Sequence, residues 1–101
     1  MDMFGRILMV EDDPQDVELT LTALGEYNLA NEVVVTGDGE EALDYLYCRG
    51  KFRGRTSENP AVLLLDLKLP KVDGLEVLRQ IKGDSALKMI PIVIMRSSRE
   101  E

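Results

Sequence analysis

Four short runs of consecutive apolar residues punctuate the chain: Ile7-Leu8-Met9-Val10, Val33-Val34-Val35, Ala61-Val62-Leu63-Leu64-Leu65 and Ile92-Val93-Ile94-Met95. None alternates apolar with polar. Continuous apolar runs of this length mark strands covered on both faces, as in a parallel sheet clothed by helices. Between the runs the spacing becomes helical. Asp13-Pro14 reads as an N-cap followed by the first helical residue, with Asp16 in the first turn. Val17, Leu21 and Leu24 then recur at i, i+4 and i+7, and the pattern fades near Tyr27. A second helix is predicted from Gly39, with Glu40 and Glu41 at its positive end and Ala42, Leu43, Leu46 and Tyr47 facing inward. A third follows Asp73-Gly74, with Val77, Leu78 and Ile81 inward and Gly83 as its stop. Met9, Met89 and Met95 are expected to fill the core. Strands alternating with helices predict an α/β fold: a doubly wound parallel sheet with right-handed crossovers.

The length, 101 residues, suits one domain, and residues 1–101 are read as a single unit. A chain that is 45% hydrophobic and 31% charged has ordinary globular composition, which excludes wholesale disorder. Nineteen acids against 12 bases leave a net charge of -7, which argues against binding nucleic-acid backbones. No apolar run approaches the ~18 residues that span a membrane, and no secretory leader is expected before the first strand. There is no histidine and one cysteine, Cys48, so imidazole chemistry, an internal disulfide and a thiolate metal knuckle are excluded. A cytoplasmic, reducing setting is the expectation. Cys48 is read as a packing residue and Lys71 as a solvated loop charge. The stretch Arg49 to Asn59 stands out, with Arg49, Lys51, Arg53 and Arg55 and no acid before Glu58. It is read as a surface loop, either simply solvated or a docking surface for an acidic partner.

The remaining chemistry is carried by carboxylates. Open α/β sheets place their sites at the carboxyl ends of strands, near the point where strand order reverses. The first strand ends in Val10-Glu11-Asp12-Asp13 and the third in Leu65-Asp66. If these strands are neighbours, Glu11, Asp12, Asp13 and Asp66 share one rim. Clustered carboxylates repel unless a cation sits among them. With only oxygen donors to offer, such a rim suits a hard ion, and Mg²⁺ fits one or two carboxylates plus waters and a phosphate. Asp13, just before Pro14, is also a natural helix cap.

The run ILMVEDDPQD resembles the opening of bacterial response-regulator receiver domains, and LLLDLKLPKVDGLEVLRQIK is similar to their phosphoacceptor strand, loop and third helix. The resemblance extends from about Arg6 to Ser98. The segment YLYCRGKFRGRTSENPAVLLLDLKLP further resembles single-domain regulators paired with phytochrome-type histidine kinases. The resemblance implies a flavodoxin-like receiver with strands in order 2-1-3-4 and signalling by phosphoryl transfer from a sensor histidine kinase. It implies Asp66 as phosphoacceptor, with Mg²⁺ bound by Asp12, Asp66 and the backbone carbonyl of Lys68, and with Glu11 acting largely through water. Pro70 and Gly74 would shape the following loop and helix.

Two departures from the family pattern carry expectations. The family's Ser/Thr after the fourth strand is Arg96 here, followed by Ser97 and Ser98, which makes Arg96 and Ser97 the phosphoryl-proximal residues. The family pattern also continues beyond Glu101 through a helix, a strand ending in Lys-Pro and a last helix. The expectation is therefore a C-terminally truncated receiver, impaired in phosphorylation and self-associating through its fourth strand. No catalytic residue in the usual sense is assigned, and the chain is not expected to be a turnover enzyme. A non-switching remnant acting as an interaction module is the alternative. A metal-dependent phosphohydrolase on a similar sheet is a remote third reading, because nothing here supplies a general acid or a substrate cap. Gly37 to Ala42 fits the dinucleotide pattern G-x-G-x-x-A, but Glu40 and Glu41 would repel a pyrophosphate at that helix start.

Overall fold

Strand β1, Ile7–Val10, is buried along its whole length. It pairs in parallel with β2, Val33–Thr36, on one side and with β3, Val62–Asp66, on the other. Strand β4, Ile92–Met95, pairs with β3, so the sheet runs β2-β1-β3-β4, the expected order, with β1 and β3 adjacent as a shared carboxylate rim requires. The computed structural model describes residues 5–29, 32–56, 58–69 and 71–95. Pro70, Arg96, Ser97 and Ser98 lie outside them.

Three helices connect the strands: α1, Pro14–Gly25; α2, Gly39–Leu46; and α3, Gly74–Lys82. Each starts on an aspartate whose side chain takes up a free backbone N–H of the first turn. Asp13 accepts from Gln15 at 2.9 Å, Asp38 from Glu41 at 2.7 Å and Asp73 from Glu76 at 3.0 Å. Gly83 caps α3 as expected. From β1 the chain steps outward to β2, then back past β1 to β3 and β4. With right-handed crossovers, that reversal puts α2 and α3 on one face of the sheet and α1 on the other.

The main core lies on the α2–α3 face. Leu8, Val10, Leu63 and Leu65 of the strands meet Ala42, Leu43 and Leu46 of α2 and Val77 and Ile81 of α3. Leu69, Leu87 and Ile90 close its ends. The opposite face carries Ile7 and Met9 and is more thinly covered. Val17, Leu21 and Leu24 point along the expected stripe of α1, but none is fully buried.

Two expectations about the core are corrected. Tyr45, not Tyr47, is the buried tyrosine of α2, and its ring meets Phe52 edge-on at 5.1 Å. Positions 42, 45 and 46 share one face at i, i+3 and i+4, whereas Tyr47 has left the helix and donates its hydroxyl to Asp84 at 3.0 Å. Met89 is exposed, because the turn before β4 turns Leu87 and Ile90 inward instead. Met9 is fully buried and Met95 half-buried.

The basic loop proves to be largely self-contained. Arg49 pairs with Asp44 at 2.8 Å and Lys51 with Glu41 at 2.6 Å. The Arg55 guanidinium stacks 3.9 Å from the Tyr45 ring centroid and donates to the carbonyls of Tyr45, Thr56 and Glu58. Arg55 thus anchors the loop to the core rather than offering its charge to a partner.

Candidate functional site

Strand order reverses between β2-β1 and β3-β4, and the carboxyl ends of β1 and β3 lie side by side at that point. Glu11 follows β1 directly and prolongs the sheet, its N–H donating to the Thr36 carbonyl at 3.0 Å. Asp66 is the last residue of β3. One carboxylate oxygen from each of Glu11, Asp12 and Asp66 lies within 4.8 Å of the others. Three of the four acids expected at the rim therefore converge. Asp13 has its side chain committed to the cap of α1.

The cluster is dry. Glu11 is 3% exposed and Asp66 1%. Glu11 accepts the Asp13 N–H at 3.0 Å. Burial still pushes the Glu11 carboxyl up to about 7, a rise partly offset by that N–H and reinforced by the neighbouring charges of Asp66 and Asp16. On Asp66 the two oxygens differ. Oδ1 accepts the backbone N–H of Lys68 at 2.9 Å, while Oδ2 is buried with no hydrogen-bond partner. Buried polar oxygens are rarely left in this condition. An unsatisfied buried oxygen on a carboxylate clustered with two further acids favours a cation, and hard oxygen donors favour a small divalent one. The donor set present here fits Mg²⁺.

The surrounding backbone fixes this arrangement. The bond from the Lys68 N–H ties the segment after β3 to the Asp66 side chain. Gly74 brings the start of α3 directly onto the same strand end. A Cβ at Gly74 would lie 2.4 Å from the Leu67 Cα and 2.6 Å from the Asp66 carbonyl oxygen, so any larger residue would force the two apart. Thr36 was not anticipated. Fully buried at the end of β2, it donates its hydroxyl to the Met9 carbonyl at 3.2 Å and clamps the strand that delivers Glu11. Its signal in the sequence is a single polar residue closing the run Val33 to Val35.

The family model that describes the response regulator receiver domain matches residues 7–101. Response regulator Rcp1 of Synechocystis sp. (strain ATCC 27184 / PCC 6803 / Kazusa) is 39% identical over 95 residues, covering 94% of this chain and 63% of the relative. Among solved structures, the bacteriophytochrome response regulator RtBRR is 57% identical with a TM-score of 0.89, over 96% of this chain and 58% of that one. The Mn²⁺-bound form of response regulator Rcp1 is 38% identical with a TM-score of 0.83, over 96% and 68%. The chain thus spans about three fifths of the length of the first two.

Proposed function

Because the chain belongs to the response regulator receiver family, we propose that Asp66 accepts a phosphoryl group from a phosphohistidine of a sensor histidine kinase. The observation that carries this reading is Asp66 Oδ2, buried with no hydrogen-bond partner on a residue that clusters with two further acids. In the transfer the phosphorus–nitrogen bond breaks, its electron pair stays with the imidazole, and a bond forms between phosphorus and Oδ2. A carboxylate attacking a phosphoryl group sets negative charge against negative charge, so positioning and neutralisation dominate the chemistry. Bound Mg²⁺ supplies that neutralisation. Asp12, Asp66 and the Lys68 carbonyl would hold it, with Glu11 acting through water. The Lys68 N–H keeps Oδ1 occupied and so selects Oδ2 as the attacking atom. Thr36 ties the strand that delivers Glu11 to β2, and Gly74 seats the start of α3 on the strand end that delivers Asp66.

The partner is inferred to be a phytochrome-type kinase in the cytoplasm. Support comes from the bacteriophytochrome regulator RtBRR and from the phosphorylated cyanobacterial phytochrome response regulator RcpA, which is 42% identical with a TM-score of 0.82. Among the described residues no helix is long and apolar enough to cross a membrane. The domain is read as a signalling switch rather than a turnover enzyme. It is also inferred to self-associate through β4, whose outer edge has no partner strand among the described residues.

Incubation with acetyl phosphate and Mg²⁺, followed by intact mass, tests the central reading. A gain of one phosphoryl group that disappears in Asp66→Asn is expected. Mg²⁺ binding without any gain would instead identify an interaction module.

A further inference from the structure

The pattern Gly37 to Ala42, unsuited to a nucleotide, packs against the β3–α3 connection instead. Gly39 is buried at the first position of α2. A Cβ there would lie 1.8 Å from the Val72 carbonyl oxygen and 2.7 Å from its carbon. These are backbone atoms of the β3–α3 connection and cannot swing aside as a side chain would. Gly39 is thus required for space: α2 and that connection touch backbone to backbone.

A second contact lies beside the first. Lys71 Nζ stands 3.7 Å from Asp38 Oδ2 and 3.8 Å from Glu40 Oε1. Lys71 itself takes φ +64°, a left-handed conformation that a lysine adopts at a cost and keeps only where its surroundings hold it. The α2 side of this contact is stiff. Asp38 accepts the Glu41 N–H at 2.7 Å, and Glu41 accepts the Gly37 N–H at 2.8 Å, so side chain and backbone lock the turn reciprocally. At the other end of the connection, Gly74 closes onto Leu67 and Asp66. Lys68, whose N–H orients Asp66, lies between these two close approaches.

We propose that the start of α2 braces the β3–α3 connection, with Gly39 as a positioning residue that sets the Lys68 backbone and, through it, the divalent-cation affinity of the Glu11–Asp12–Asp66 cluster. This rests on the cation-binding reading of that cluster. Groups that orient metal-binding atoms without touching the ion commonly change affinity by about 10- to 100-fold when removed. The exposed Lys71 bridge is the weaker component, because screened surface ion pairs contribute little.

The test uses the full chain, Mn²⁺ titrated by calorimetry and the metal-free amide spectrum. Gly39→Ala is expected to weaken Mn²⁺ binding about tenfold and to move the Lys68 amide resonance before metal is added. Lys71→Gly, which removes the bridge and relieves the positive φ, is expected to weaken binding about twofold. Ile81→Val, a core change remote from the contact, should lower stability and leave both readouts unchanged. Wild-type affinity and an unmoved Lys68 amide in Gly39→Ala, with binding abolished in Asp66→Asn, would overturn the brace and leave the site standing. Undiminished binding in Asp66→Asn would overturn the cation reading and the brace together. If Gly39→Ala does not fold, Lys71→Gly decides: no change in affinity and no shift at Lys68 overturns the proposal.

Discussion

Glu11 is held out of water beside two other acids, and its protonation is therefore linked to folding. Its carboxyl titrates near 7 in the folded chain against an ordinary value of 4.5, chiefly through burial. Between those values the folded state keeps a proton that the unfolded state has lost, so stability falls as pH rises. The stabilisation is complete below the ordinary carboxylate range and gone above about 7. The metal-free protein should accordingly melt at lower temperature at about pH 7.5 than at about pH 5, and Glu11→Gln should flatten that slope. A cation among the acids favours their ionised forms, so Mg²⁺ should raise the melting temperature more at the higher pH. A melting temperature that rises across this range would contradict the assignment. The same geometry ranks the aspartates. Asp66→Asn and Asp12→Asn should each weaken Mg²⁺ binding strongly, since both supply an oxygen to the cluster. Asp16→Asn should not, since Asp16 is not among the acids whose oxygens converge and acts on Glu11 through its charge. Equal losses in all three titrations would point to diffuse surface attraction.

Among the elements, β4 departs furthest from what its composition suggests. Ile92 to Met95 reads as a strand covered on both faces, yet Val93 is 51% exposed and Ile94 46%. Within the described residues it is paired only through β3. An apolar strand edge that meets no second strand among the described residues is a template for another strand, and no charge within Ile92 to Met95 guards it. A second copy pairing β4 to β4 about a two-fold axis would satisfy both sheets at once. Light scattering should therefore show a species larger than the 11.3 kDa monomer, and Val93→Lys should return it to monomer by setting a charge in the contact. A larger species that persists in Val93→Lys would move the interface off β4. A wild-type chain that stays monomeric as concentration rises would dispose of the association altogether. Helix α1 tells a related story. Its Val17, Leu21 and Leu24 stripe predicts a helix but not how deeply that helix is buried, which depends on what else shares its face of the sheet.

For the molecule as a whole, sequence and tertiary structure divided the determination along physical lines. Periodicity settled the order and type of elements, because a buried strand and an amphipathic helix impose different spacings over a few residues. The cap Asp13 was legible for the same reason, since it satisfies an N–H only two residues away, and Asp38 and Asp73 take the same role at α2 and α3. The carboxylate rim was legible once β1 and β3 were taken as neighbours, an inference from chemistry that the observed pairing bears out. Three things needed the fold. Which acid oxygen stays unsatisfied on Asp66 depends on the Lys68 N–H and on burial, neither of which composition encodes. The choice of Tyr45 over Tyr47 for the core depends on where α2 ends, and a helix of eight residues leaves no periodicity to decide it. The role of Gly39 depends on Val72, far away in sequence, whose carbonyl arrives against α2 only when the sheet has assembled. Local rules act over one or two turns of chain and can be read from a string of residues; contacts between distant backbones exist only once topology brings them together.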